Sequence, residues 1–108
     1  MNNSIKSIDK KNESIWQSRY NNSSKVESDG LKVLRQSEKV HYARGISYAE
    51  LNISVANFLQ SRNEIALKYL SEAYHWFSSN KSEKGYARAL LLKGNIYESF
   101  GDYENVFW

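Results

Sequence analysis

The chain has 108 residues, 41% hydrophobic and 25% charged, with a net charge of +3 and neither cysteine nor proline. That length holds one domain with a modest core, and the hydrophobic share argues against a disordered chain. Without cysteine there are no disulfides and no thiolate metal sites; without proline, long uninterrupted helices are favoured.

The charge is unevenly placed. Residues 1–40 carry eight Lys/Arg against five Asp/Glu, whereas residues 41–108 carry seven of each. A nucleic-acid surface calls for clustered basic residues with aromatics between them. The balanced second part reads instead as solvated surface, so no nucleic-acid partner is expected. No run approaches the roughly 20 apolar residues of a membrane span, and Met1 to Ser14 lacks the apolar centre of a secretion signal. No membrane insertion and a cytoplasmic location are therefore expected.

In chain order, residues 1–12 read as a disordered polar leader of Asn, Ser and Lys with scattered Ile. Ile15, Trp16, Arg19 and Tyr20 fit a short amphipathic helix from Glu13 to Asn21. Asn21 to Ser24 reads as a loop, after which Ser28 or Asp29 can cap a helix carrying Leu31, Leu34 and Val40 and ending near His41. Tyr42 to Gln60 predicts a long helix with two apolar stripes. One is Tyr42, Ile46, Ala49, Ile53 and Ala56; the other is Tyr48, Leu51, Val55, Phe58 and Leu59. Two stripes imply neighbours on two sides.

Asn63 to Ser79 is the clearest amphipathic helix, with Ile65, Ala66, Leu70, Ala73, Tyr74 and Phe77 at helical spacing. Asn80 with Glu83 resembles a capping box before the next helix, Ser82 to Phe100. That helix is apolar on two sides through Tyr86, Leu90, Leu91, Ile96, Tyr97 and Phe100. Gly101-Asp102 turns the chain, and Tyr103 to Trp108 begins another helix. The expected fold class is all-α, a stack of antiparallel helix hairpins over residues 13–108.

Parts of the chain echo one another. Ser37-Glu38-Lys39 recurs as Ser82-Glu83-Lys84, and Tyr42-Ala43-Arg44 as Tyr86-Ala87-Arg88. The stretch from Ser61 to Leu67 lines up with Gly101 to Phe107 at a separation of 40, and Ser28 to Leu31 with Glu64 to Leu67 at 36. Drifting offsets predict units of unequal length. A lone hairpin cannot bury both faces of its first helix, and stacked neighbours can.

These residues resemble the tetratricopeptide repeat family. Gly94 and Tyr97 match its small residue and aromatic, Gly101-Asp102-Tyr103 its turn, and Ala66, Leu70 and Ala73 the small, large and small positions of its second helix. Ser54 stands where the family prefers glycine and Val106 where it prefers alanine. The proline that closes a unit is absent, and the units exceed the usual length of about 34 residues. Such long units are similar to the tetratricopeptide regions of bacterial signalling proteins. The resemblance implies a TPR-like right-handed superhelix of about two and a half repeats, the last one incomplete, whose inner face is lined by the first helix of each hairpin.

On that face the outward residues of the last unit are Arg88, Asn95 and Glu98. Arg88 can pair with a carboxylate through its planar fork, and Asn95 can give a donor and an acceptor to a peptide backbone. Trp76 packs on a neighbouring helix or anchors a partner. His41 and His75 are too far apart for a metal site, and no cofactor or catalytic constellation is expected. The resemblance implies a protein- or peptide-binding module, not an enzyme, acting as the sensory segment of a larger bacterial signalling protein. The alternative is a self-association element. Val106-Phe107-Trp108 gives the chain an apolar end, which suggests a fragment of a longer protein or a surface that packs on another copy.

Overall fold

The computed structural model describes residues 2–101. The turn residues Asp102 and Tyr103, the helix expected from Tyr103 and the apolar end at Trp108 lie outside the described residues. Within them the chain is all-α, an antiparallel stack of five helices: α1 (Asn2–Gln17), α2 (Ser23–Lys39), α3 (Ala43–Leu59), α4 (Asn63–Ser79) and α5 (Glu83–Ser99).

A common clock sets the last four helices. Each has 17 residues, and successive starts lie 20 apart. The loops explain the interval. One residue after each of these helices takes a left-handed conformation: His41 at φ 55, Ser61 at 62, Lys81 at 53 and Gly101 at 72. In the first three loops the next residue, Tyr42, Arg62 or Ser82, donates its N–H back to the carbonyl of Ser37, Asn57 or Phe77, at 2.8–2.9 Å. This double-looped closure satisfies helix-end carbonyls that would otherwise lack a donor. The carbonyls of Tyr42, Arg62 and Ser82 then accept from the N–H of Ile46, Ala66 and Tyr86. The residue that closes one helix thus opens the next.

The clock corrects the repeat alignment. At an interval of 40, the buried Val26, Gly30, Val33 and Ser37 of α2 fall on Ala66, Leu70, Ala73 and Phe77 of α4. The echoes at 36, 44 and 45 differ from this by four or five residues, about one helical turn. Tyr42 is the N-cap of α3, whereas Tyr86 lies inside α5. The units are equal in length, not unequal.

α3 is the hub and packs against all four other helices. Its two stripes serve two cores. Ala49 and Ala56 face Ile8, Ile15, Val26 and Val33 of α1 and α2. Tyr48, Leu51 and Val55 face Leu70 and Phe77 of α4 and Leu92 and Ile96 of α5. With neighbours on every side, α3 also buries polar residues. Ser54, in the position where glycine was expected, donates its hydroxyl to the Ala66 carbonyl at 2.6 Å. The molecule is 19 Å thick, which is two layers at the usual helix spacing of about 8–10 Å.

Several expectations need correction. Residues 2–12 of the expected disordered leader are helical, with Ile8 and Asn12 buried. Ile8, Asn12, Ile15 and Trp16 form one stripe, and Asn12 belongs to it because its amide donates to the Gly45 carbonyl at 3.1 Å. The Asn52 amide in turn donates to the Asn12 carbonyl at 3.1 Å. α2 begins at Ser23, ahead of both expected caps, and Asn22 accepts from the Lys25 N–H. Asp29 instead bridges Lys25 at 2.7 Å. The Asn80–Glu83 capping box does not form; Asn80 donates its amide back to the Trp76 carbonyl. Leu59, Ile65 and Leu91 are exposed; Ile65 and Leu91 each lie one position off a buried residue, Ala66 and Leu92. Trp76 is partly buried and packs edge-on against Phe77.

Candidate functional site

α1, α3 and α5 meet along one face of the molecule, with α1 and α5 bridged by side chains over α3. The local sequence builds this in two steps. Lys84 and Arg88 are four apart in α5 and so project from the same side of the helix. Glu13 and Trp16, three apart in α1, do likewise. The stack then brings the two pairs together.

Arg88 grips Glu13 with its fork, Nη1 donating to Oε1 at 3.1 Å and Nη2 to Oε2 at 3.2 Å. Lys84 Nζ reaches the same carboxylate at 3.3 Å, and the Gln17 amide donates to it at 2.7 Å. The Arg88 hydrogen bond is the main reason that the Glu13 carboxyl is held down to about 2, well below its ordinary 4.5, against an opposing push from burial. The Arg88 side chain is 15% exposed and Glu13 is 39% exposed. The pair is therefore shielded on the arginine side and open to solvent on the other.

The Trp16 ring carries two guanidinium groups, with Arg19 Cζ 4.0 Å and Arg88 Cζ 4.5 Å from its centroid. Arg19 also lies 4.5 Å from the Tyr20 ring. Cation–π contacts of this kind are worth about 0.5–2 kcal/mol.

The bridge separates two small openings. One, of about 50 Å³, is lined by Trp16, Tyr20, Phe58, Arg88, Leu91 and Asn95. The other, of about 80 Å³, is lined by Asp9, Asn12, Glu13, Arg44, Tyr48 and Lys84. At its edge the Tyr42 hydroxyl donates to the Asp9 carboxylate at 2.8 Å, and burial followed by that bond pushes the phenol up to about 12. Neither opening encloses a metabolite, since drug-sized ligands occupy about 300–1,000 Å³. Each has room for the end of one side chain.

Of the three residues expected here, Arg88 and Asn95 share the first opening, while Glu98 is exposed and stands outside it. Arg88 does pair with a carboxylate, but one from its own chain. Glu13, Trp16 and Lys84 were not among the expected site residues. The Lys84–Arg88 spacing was readable; their carboxylate partner, more than 70 positions away, was not. A second missed residue is Lys93, whose side chain is buried with Nζ 5.9 Å from the Tyr97 ring; burial lowers its ammonium to about 8. Among the described residues no group of three His, Asp or Glu could hold a metal ion, and no helix is long and apolar enough to cross a membrane. No protein-family model, curated protein or solved structure matches the chain.

Proposed function

We propose that this chain is a non-catalytic module that binds a protein or peptide along the α1–α3–α5 face. One observation carries the reading: a cation fork, an amide and two exposed apolar side chains, Tyr20 at 61% and Leu91 at 56%, converge on a shallow opening. Recognition surfaces combine aromatic and arginine anchors with a few oriented polar groups in this way. The resemblance to tetratricopeptide stacks supports the same face, since α3 and α5 each come first in their helix pairs. It also carries the narrower reading of a sensory segment in a bacterial signalling protein.

The test is selection from a displayed random-peptide library, followed by Asn95→Ala and Leu91→Glu, with Ile65→Glu as an exposed apolar control outside the opening. Selected peptides should lose at least about tenfold in affinity on the first two variants and little on the third, as expected for central against peripheral contacts. Equal binding to all three variants would remove this face from consideration.

A second reading, self-association through α5, is favoured by Leu91 and by Phe100, which is 51% exposed. Sedimentation over a hundredfold concentration range decides it: a strict monomer throughout rules it out.

A further inference from the structure

We infer that Glu13 is a resident stand-in for a partner's glutamate, so that its side chain gates the site and an acidic peptide opens it. This rests on the binding face proposed above and adds the chemistry of its occupant.

The geometry already shows what the fork recognises. Arg88 holds both oxygens of one carboxylate in the paired arrangement that guanidinium and carboxylate favour, and Lys84 supplies a second cation to the same group. The ligand is a glutamate with an aromatic three positions later, Glu13 and Trp16. Trp16 is buried against Arg88 beside the opening.

Charge fixes the sign of the occupant. The two openings and the bridge between them hold four cations, Arg19, Arg44, Lys84 and Arg88, against two anions, Asp9 and Glu13. The face is therefore positive even with Glu13 in place, and it would be more so with Glu13 withdrawn. An incoming glutamate exchanges one carboxylate for another on the same donors, at little electrostatic cost. Net affinity then comes from apolar residues of the peptide against Tyr20, Phe58 and Leu91. A neutral peptide makes those contacts but cannot replace Glu13.

Glu13 is placed to be exchanged. Its side chain is 39% exposed, and it stands on a helix whose own anchors, Ile8, Ile15 and Trp16, are buried apolar side chains. The carboxylate can therefore swing to solvent while α1, and Trp16 with it, stays in place. A polar contact of this kind can be handed to water or to a competitor, whereas apolar burial cannot. α1 keeps Glu13 at a high effective concentration over the fork, so it suppresses binding until it is neutralised or outcompeted.

The test uses the full chain and a fluorescently labelled, C-terminally amidated peptide of alternating glutamate and leucine. A second peptide has glutamine in place of every glutamate. A third is that glutamine peptide with a free C-terminal carboxylate. Glu13→Gln should bind the glutamate peptide at least about tenfold more tightly than the unaltered chain, within the range common for coupled sites. The gain should vanish in Glu13→Gln/Arg88→Gln and should not appear with either glutamine peptide. Arg88→Lys keeps the charge and loses the fork, and should give an intermediate affinity. Glu13→Asp shortens the carboxylate arm and should give a smaller gain than Glu13→Gln. Helical circular dichroism and a thermal melt confirm that each variant folds.

Unchanged affinity in both Glu13→Gln and Glu13→Asp would overturn the gate, as would a gain that survives loss of Arg88. A gain seen equally with the free-carboxylate peptide would overturn the assignment to a glutamate side chain. If both amidated peptides bind the unaltered chain equally and Asn95→Ala weakens both, the gate falls and the binding face stands. Library peptides indifferent to Asn95 and Leu91 would remove the face itself.

Discussion

Glu50 shows how much a single position depends on its surroundings. On sequence it is one of several scattered acids in a helix; in the fold it is 7% exposed. Burial first, then a hydrogen bond and charge repulsion from Glu72, push its carboxyl from 4.5 up to about 9. The folded state therefore holds a proton that the unfolded chain releases above pH 4.5. Stability from this group is complete below that value and is lost as pH rises towards 9. Urea midpoints measured at pH 5 and pH 8 should fall across that interval, and Glu50→Gln should flatten the fall. A variant whose midpoint drops as steeply as the parent's would show that Glu50 does not carry this dependence. Arg88 teaches the same lesson about the site. Its ability to fork a carboxylate was legible from residue type, but the identity of that carboxylate required the fold.

For the helices, the clock of 20 residues makes specific demands. Left-handed backbone costs an ordinary side chain about 1–2 kcal/mol, and glycine escapes it while giving back about 0.4–1 kcal/mol in unfolded-state entropy. Only the fourth loop uses glycine there; the others use His41, Ser61 and Lys81. Ser61→Gly and Lys81→Gly should therefore each raise stability by up to about 1 kcal/mol. The check is a rise in urea midpoint with no change of slope. Gly85, in the first turn of α5, is glycine for a different reason: an added Cβ would run into the Phe77 ring. Phe77 is fully buried within the core, so Gly85→Ala should lose about 1–3 kcal/mol. An alanine variant as stable as the parent would mean that α4 and α5 can separate without cost.

Across the whole molecule, burial is graded from α3 outwards. α3 buries twelve of its 17 residues, while α1 is held by Ile8, Ile15, Trp16 and a set of polar contacts. Native-state hydrogen exchange should follow that order, with α3 amides exchanging last, near the rate of global unfolding, and α1 amides first among the helices. Equal protection in α1 and α3 would mean that the stack opens as one unit.

What the sequence determined by itself is local and periodic. It contained the helical spacing of α3 to α5, the two stripes of α3, the position of α4 from Asn63 to Ser79, and the all-α class. These follow from a period of 3.6 residues, which a short window reveals. The tertiary structure alone decided that the polar N-terminal stretch folds as α1, because Ile8, Asn12, Ile15 and Trp16 find their partners on other helices. It also decided the register between units, where echoes one turn out of place looked as good as the true one. And it alone joined Glu13 to Arg88, because a contact between residues 75 positions apart leaves no mark on the neighbours of either.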